Sequence, residues 1–212
     1  MILTILALSL SETFCLKMEK TGMFKKLFSI TISLIFKPSE AWDELSKQQT
    51  DSHDSFLSGF VYPFLGLIVL CTFGSFLLTG KEINLQIALK ETIVVMLSVF
   101  VGFFLASYLV NIVWHRILHR EQNMKLCQRF VGYSSSLLYS VYILSSLLPN
   151  FFFLWFFLLY TIYMVWEGAI PYMKVNESEQ LKFVSLTTAI IIATPFTIEY
   201  ILHWLMPGLN SL

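Results

Sequence analysis

Charge is what this 212-residue chain has least of: Asp, Glu, Lys and Arg make up 13% of it, where soluble domains average about 25%. With 56% of residues hydrophobic and 16% aromatic, too few polar side chains remain to cover a water-facing globule, so lipid is the solvent implied. Cysteine is equally scarce. Cys15, Cys71 and Cys127 are scattered, which excludes a disulfide framework or a zinc cluster. A formal net charge of zero removes the basic field on which nucleic-acid binding depends. No GxSxG, HExxH or phosphate-cradling glycine loop occurs, so no enzyme class and no cofactor is expected.

What is present is long apolar runs. A helix needs about twenty apolar residues to cross a hydrocarbon layer roughly 30 Å thick, and five such spans are expected, near 56–80, 92–114, 130–148, 151–170 and 183–206. Phe130 to Trp166 is uncharged throughout. As one straight helix it would reach about 55 Å, so it must fold back, and Pro149-Asn150 is the expected break. The predicted fold is all-α: a polytopic membrane bundle of five transmembrane helices, preceded by amphipathic interfacial helices. In domain terms, 1–23 is a flexible amino terminus or lies before the native start, with Met18 or Met23 as alternative starts. Residues 24–55 are a cytoplasmic amphipathic segment, 56–206 the membrane domain and 207–212 a short tail.

Basic residues are retained on the cytoplasmic side. Of the fourteen Lys and Arg, all but Lys81 and Lys90 fall before span one, between spans two and three, or between spans four and five. The amino terminus is therefore read as cytoplasmic and the carboxyl terminus as outside. The first seventeen residues carry no basic group ahead of their apolar stretch and do not read as a secretory signal.

In FKKLFSITISLIFKP, Lys26, Ser29, Ser33 and Lys37 form a polar stripe at helical spacing, with Phe24, Leu27, Phe28, Leu34 and Ile35 largely opposite. That pattern suits an interfacial helix. Pro38 should end it, and Ser39 should cap a second short helix whose Trp42 and Leu45 face the headgroups.

Three stretches follow one another along the chain: Pro38 and Trp42 followed by Pro63, then Gly132-Tyr133-Ser134, then Tyr160, Tyr163 and Gly168 on the fourth span. In this order they resemble the Yip-domain membrane proteins, which include the Rab-interacting Yip proteins and many bacterial members. The resemblance covers roughly Phe24 to Trp204. It implies a five-span membrane protein with a cytoplasmic amino terminus, associated with vesicle traffic in eukaryotes, and here placed in a bacterial cytoplasmic membrane. The chain departs from the pattern at Ser135-Ser136-Leu137, where many relatives carry proline, and at Glu167, where many are apolar.

Small residues that let helices approach recur as Ser98, Gly102, Ala106 on span two and Gly132, Ser136, Ser140 on span three, which predicts contact between those spans. Pro63 and Pro195 should bend spans one and five. His115 and His119, four apart, are weak candidates for a metal pair, but Arg116 and Arg120 share their helix end. An interfacial charge cluster of Arg116, Arg120, Arg129 and Glu167 is the preferred reading there. Trp166 and Tyr172 read as aromatic-belt residues. At the opposite face Glu199 and His203 form an intramembrane polar pair, with Glu199 turned toward a polar partner.

The sequence thus favours a non-enzymatic protein whose partners are the bilayer and other membrane proteins, or itself, organised through its cytoplasmic face. A small-solute or ion permease is the alternative, and an intramembrane metal enzyme a third class.

Overall fold

The structure, a computed structural model, describes residues 22, 24–47, 56–78, 85–148 and 151–205. It is helical apart from short connections, with no strand among those residues. Helix α1 covers 24–36 and α2 covers Pro38–Lys47. Only Lys37 separates them, and backbone bonds from Lys37 N to Ser33 O (2.8 Å) and from Ala41 N to Lys37 O (3.0 Å) carry the helical path across. Pro38 opens α2, at the position where its missing N–H costs least. Ser39, the expected cap, therefore lies inside the helix.

A π-helical turn, Leu57–Val61, leads into α3, Tyr62–Leu78. Its Tyr62 N–H reaches back five residues to Leu57 O, a widening just before Pro63, which cannot donate. Helix α4 is Leu85–Leu118. Helices α5, Met124–Ser134, and α6, Ser136–Leu147, are bent by 41° at Ser135. A 3₁₀ stretch, Phe152–Leu159, runs into α7, Tyr160–Ala169. Helix α8 is Glu177–Leu205.

Three helical stretches are long and apolar enough to cross a membrane: Leu57–Phe76, Leu85–Ile117 and Glu177–Leu205. The bent pair α5–α6 makes a fourth if taken as one span, and Phe153–Ala169 is apolar but shorter. Span three is thus bent at Ser135 although this chain has serine where many relatives carry proline. Span two outgrows its expected bounds at both ends, because Gln86, Lys90 and Arg116 are good helix formers that extend the apolar run. Span five starts early for a related reason: Glu177 and Glu179 occupy the first turn of α8, where acidic side chains complement the helix dipole. Met206 and the Pro149-Asn150 break lie outside the described residues.

Helix α4 packs most extensively along α8, while α3 lies against α4 and α6, and α7 against α8 and α2. The α4–α8 contact is tight. A Cβ built on Gly102 would stand 3.2 Å from Pro195 Cα, so glycine there lets the proline-bearing helix approach. The expected contact of spans two and three is present, since α4 also lies against α5, but it does not run through Gly102, which faces α8. Gly132 of α5 instead receives the ring of Phe56, whose Cζ would lie 2.6 Å from an added Cβ, with Phe103 of α4 at 3.4 Å. Ser98, Ala106 and Ser136 are buried and Ser140 is partly buried. Ser98 and Ser140 spend their hydroxyls on carbonyls four residues back, Val94 O and Ser136 O, a common recourse for serine inside a helix.

Candidate functional site

Helix α2 is amphipathic, and its apolar face, Pro38, Ala41, Trp42 and Leu45, is buried in the bundle. This corrects the expectation that Trp42 and Leu45 face headgroups. Burying a tryptophan leaves an indole N–H to satisfy, and Trp42 Nε1 donates to Met164 O of α7 at 2.9 Å. About one turn earlier on α7, the Tyr160 hydroxyl donates to Ile35 O of α1 at 2.9 Å. Low numbers meet low numbers, so the amino-terminal helices run beside α7 in the same sense.

Gly168 makes the seat possible. A Cβ there would lie 2.5 Å from Trp42 Cε2, 2.8 Å from Cδ2 and 2.9 Å from Phe130 Cε2; the indole rests on bare backbone. Around it stand Phe130 (ring centroids 5.1 Å apart), Tyr172 (5.2 Å) and Tyr133 (6.1 Å), in the tilted and edge-on arrangements aromatic pairs prefer. Tyr133 also meets Phe56 at 5.0 Å and Phe60 at 4.9 Å. Phe130 continues to Phe183 of α8 and Phe183 to Trp114 of α4. Rings from α2, from the π-helical turn and its lead-in, from α4, α5 and α8, and from the turn after α7 thus meet in one aromatic nest.

Tyr172 follows α7 in a turn and is buried, so it is a nest residue and not part of a lipid-facing belt. Burial, reinforced by Tyr133 nearby, pushes its phenol above the ordinary tyrosine value, and the Arg129 guanidinium, hydrogen-bonded to it, pulls it back part of the way. Arg129 itself is almost fully buried. Trp166 does remain exposed.

The structure therefore brings Trp42, Tyr133 and Gly168 together and joins Gly132 to them through Phe56, while Pro38 is buried on the same helix as Trp42 and Tyr160 ties α7 to α1. Ser134 is buried beside them in sequence. Tyr163 packs on Tyr160 as a tilted pair at 5.3 Å but is exposed. Phe130, Tyr172 and Met164 are nest residues that sequence reasoning missed or misplaced. The four-residue interval from Gly168 to Tyr172 was the available signal, since it returns a side chain to the same helical face.

The four residues expected as a charge cluster stand in separate surroundings. Arg120 lies over the Trp114 ring at 5.4 Å, Arg129 turns inward to Tyr172, Glu167 is partly buried near Tyr160, and Arg116 is exposed. The expected histidine pair is also separated. Helix α4 stops at Leu118, His119 turns to φ 48° outside it, and His115 Nδ1 is engaged by Arg120 O at 2.7 Å. The two imidazoles thus share no helical face, and no group of three or more potential metal ligands occurs among the described residues.

At the other end of the bundle, Glu199 Oε2 accepts from the Tyr142 hydroxyl of α6 at 3.0 Å. His203 bonds through Nδ1 to Glu199 O at 2.9 Å, and its Nε2 lies 3.5 Å from Glu91 Oε2 of α4. Glu199 and His203 thus meet, as partners on one helix, but the carboxylate's own partner is Tyr142. Glu91 was not singled out in the sequence, because it falls just before the apolar run of span two.

These features define an all-helical integral membrane protein with an amino-terminal helix locked into one end of its bundle. The family model described as the Yip1 domain matches residues 32–206, and the chain belongs to that family. Comparisons with curated proteins and with solved structures each found no match.

Proposed function

We propose that this protein is a non-enzymatic, five-span member of the family, whose amino-terminal face gathers membrane or protein partners. The reading places it in a bacterial cytoplasmic membrane with its amino terminus inside and its carboxyl terminus outside, on the support of the Lys and Arg distribution. Counted as spans, the bent α5–α6 pair and the short Phe153–Ala169 element bring the total to five.

The observation that carries the reading is the Trp42 seat. A buried indole, one buried hydrogen bond and a glycine beneath it hold α2 on the bundle, while Ser39, Glu40, Asp43 and Glu44 remain exposed on its outer side. A recognition surface built on a fixed helix loses little conformational freedom on binding, which is what such a seat supplies. Photo-crosslinkers at Ser39 and Asp43, installed in the protein in its native membrane, should capture a defined partner, and one at Leu45 should not. Capture that persists unchanged when Trp42→Ala frees the helix would count against the reading.

One observation favours a permease as the second reading. The hydroxyls of Ser134, Ser136, Thr161, Thr187 and Thr188 are buried with no hydrogen-bond partner among the described residues, and buried polar groups are ordinarily satisfied by protein or water. A hydrated interior at the α5–α6 bend would satisfy them. Solute flux into proteoliposomes, with no crosslinked partner, would move the balance to transport.

A further inference from the structure

We propose that the bundle end opposite Trp42 carries a binding site for an organic ammonium group. The two ends are well separated: Phe183, in the aromatic nest, and Glu199 are sixteen residues apart on α8, about 24 Å of helix. At that far end is a cavity of about 420 Å³ lined by Phe196, Glu199, Tyr200, His203 and Trp204. Its volume is in the range of small-molecule sites, roughly 300 to 1,000 Å³, and far above what a water or a bare metal ion fills.

Three of the five lining residues are aromatic, and the wall behind them is aromatic too. Phe196 packs on Trp155 at 5.2 Å and on Tyr142 at 6.5 Å, and Tyr142 packs edge-on to Trp155 at 5.6 Å. Aromatic faces beside a carboxylate recognise alkylammonium groups, because the ring quadrupoles attract the cation while the methyl or methylene shell is desolvated at small cost.

The carboxylate is held in place. Tyr142 donates to Glu199 Oε2, an arrangement that fixes one oxygen and keeps the side chain at the cavity. The charge balance then selects the sign of the ligand. His203 Nδ1 faces a carbonyl, which can only accept, so the ring proton sits on Nδ1 and Nε2 points at Glu91. At the cavity itself the carboxyl group of Glu199 is joined by that of Glu91 against the single imidazole of His203, an acidic lining that disfavours anions. A metal ion is disfavoured as well, since Nδ1 is committed to the backbone and large aromatic walls supply no ligand atoms.

The ammonium could come from a lipid headgroup or from a solute, and the test separates them. The purified full chain is placed in nanodiscs of phosphatidylglycerol alone, titrated with tetramethylammonium chloride against sodium chloride, and followed by tryptophan fluorescence. In parallel it is extracted from mixed phosphatidylethanolamine–phosphatidylglycerol bilayers, and its retained lipids are weighed by native mass spectrometry. Saturable binding of tetramethylammonium is expected, weakened about tenfold by Trp204→Ala, the loss of one good cation–π wall, and similarly by Glu199→Gln. Trp204 is 77% exposed, so its removal leaves the fold intact, and an unchanged thermal transition verifies this. Enrichment of phosphatidylethanolamine, lost in both variants, identifies the lipid as the source; tetramethylammonium binding without that enrichment identifies a soluble ammonium. Absence of both, or binding indifferent to both variants, overturns the proposal.

Discussion

Gly168 and Trp42 fit only each other: the space a methyl group would take on the glycine is already filled by indole carbon, 2.5 Å from where the methyl would sit. The neighbour is a rigid ring tied by its N–H to Met164 O, so it cannot step aside without breaking that bond. Gly168→Ala should therefore cost about 1 to 3 kcal/mol by overpacking and loosen α2 in particular. Hydrogen–deuterium exchange would show faster exchange at α2 amides with α4 and α8 little changed. Combining it with Trp42→Phe should cost less than the sum of the two single changes, since contacting residues are non-additive. Strict additivity would mean that the ring and the glycine do not meet.

Trp42 itself separates packing from hydrogen bonding. Trp42→Phe keeps most of the buried ring and loses the N–H, which predicts a loss near 1 kcal/mol. Trp42→Ala opens a cavity and should lose about 3 to 5 kcal/mol. Thermal unfolding in detergent gives both numbers on one scale, and equal losses would locate the energy in the bond and not in the ring.

Tyr172 gives the nest a pH signature. Its folded phenol titrates above the ordinary value of 10.0, chiefly through burial. For a group whose folded pKa is raised, the stabilisation is fully present below the unfolded pKa and is lost as pH rises toward the folded one. Stability should hold through neutral pH and decline above about pH 10, and Tyr172→Phe should decline less steeply there. The variant should also be less stable at pH 7, since Arg129 loses a hydrogen-bond partner worth about 1.5 to 3 kcal/mol for a charged donor. Identical alkaline slopes for the two proteins would remove Tyr172 from this role.

Much of this architecture was legible in the residues, and the part that was not has identifiable causes. Apolar runs mark helices in lipid because every backbone group must be satisfied internally, so helix existence could be read directly. Where each helix stops could not, because the ends of α4 and α8 are set by charged residues that extend helices as readily as they end spans. Pro38, Trp42, Tyr133 and Gly168 were visible as separate motifs, but their convergence depends on α1 and α2 running alongside α7, a tertiary relationship without a local pattern. Amphipathicity also left the partner of the apolar face undetermined. The moment that suits a membrane surface equally suits a groove in the bundle, and Trp42 lies in the groove. On α1 the division is different again, with Leu27, Thr31 and Leu34 buried while Phe28, Ile32 and Phe36 are exposed.

Gly102 and Pro195 supply the last prediction, and it tests which helix Gly102 faces, the point that spacing alone misplaced. A Cβ on Gly102 would approach Pro195 Cα to 3.2 Å and Cγ to 3.3 Å, contacts that backbone atoms relieve only if α4 and α8 part by a few tenths of an ångström. Alanine should thus be tolerated at a cost of about 1 kcal/mol, whereas Gly102→Leu must displace α8 and should cost at least about 3 kcal/mol or prevent folding. Because α8 carries Phe183 at one end and Glu199 at the other, a displaced α8 should disturb both ends of the bundle together. Paired cysteines at Gly102 and Pro195 report the pairing directly, in a chain with Cys15, Cys71 and Cys127 replaced. Efficient oxidative crosslinking of that pair, with none when Gly102→Cys is paired instead with Ser140→Cys of α6, is the expected result. The reverse pattern would put Gly102 against α6 and not against α8.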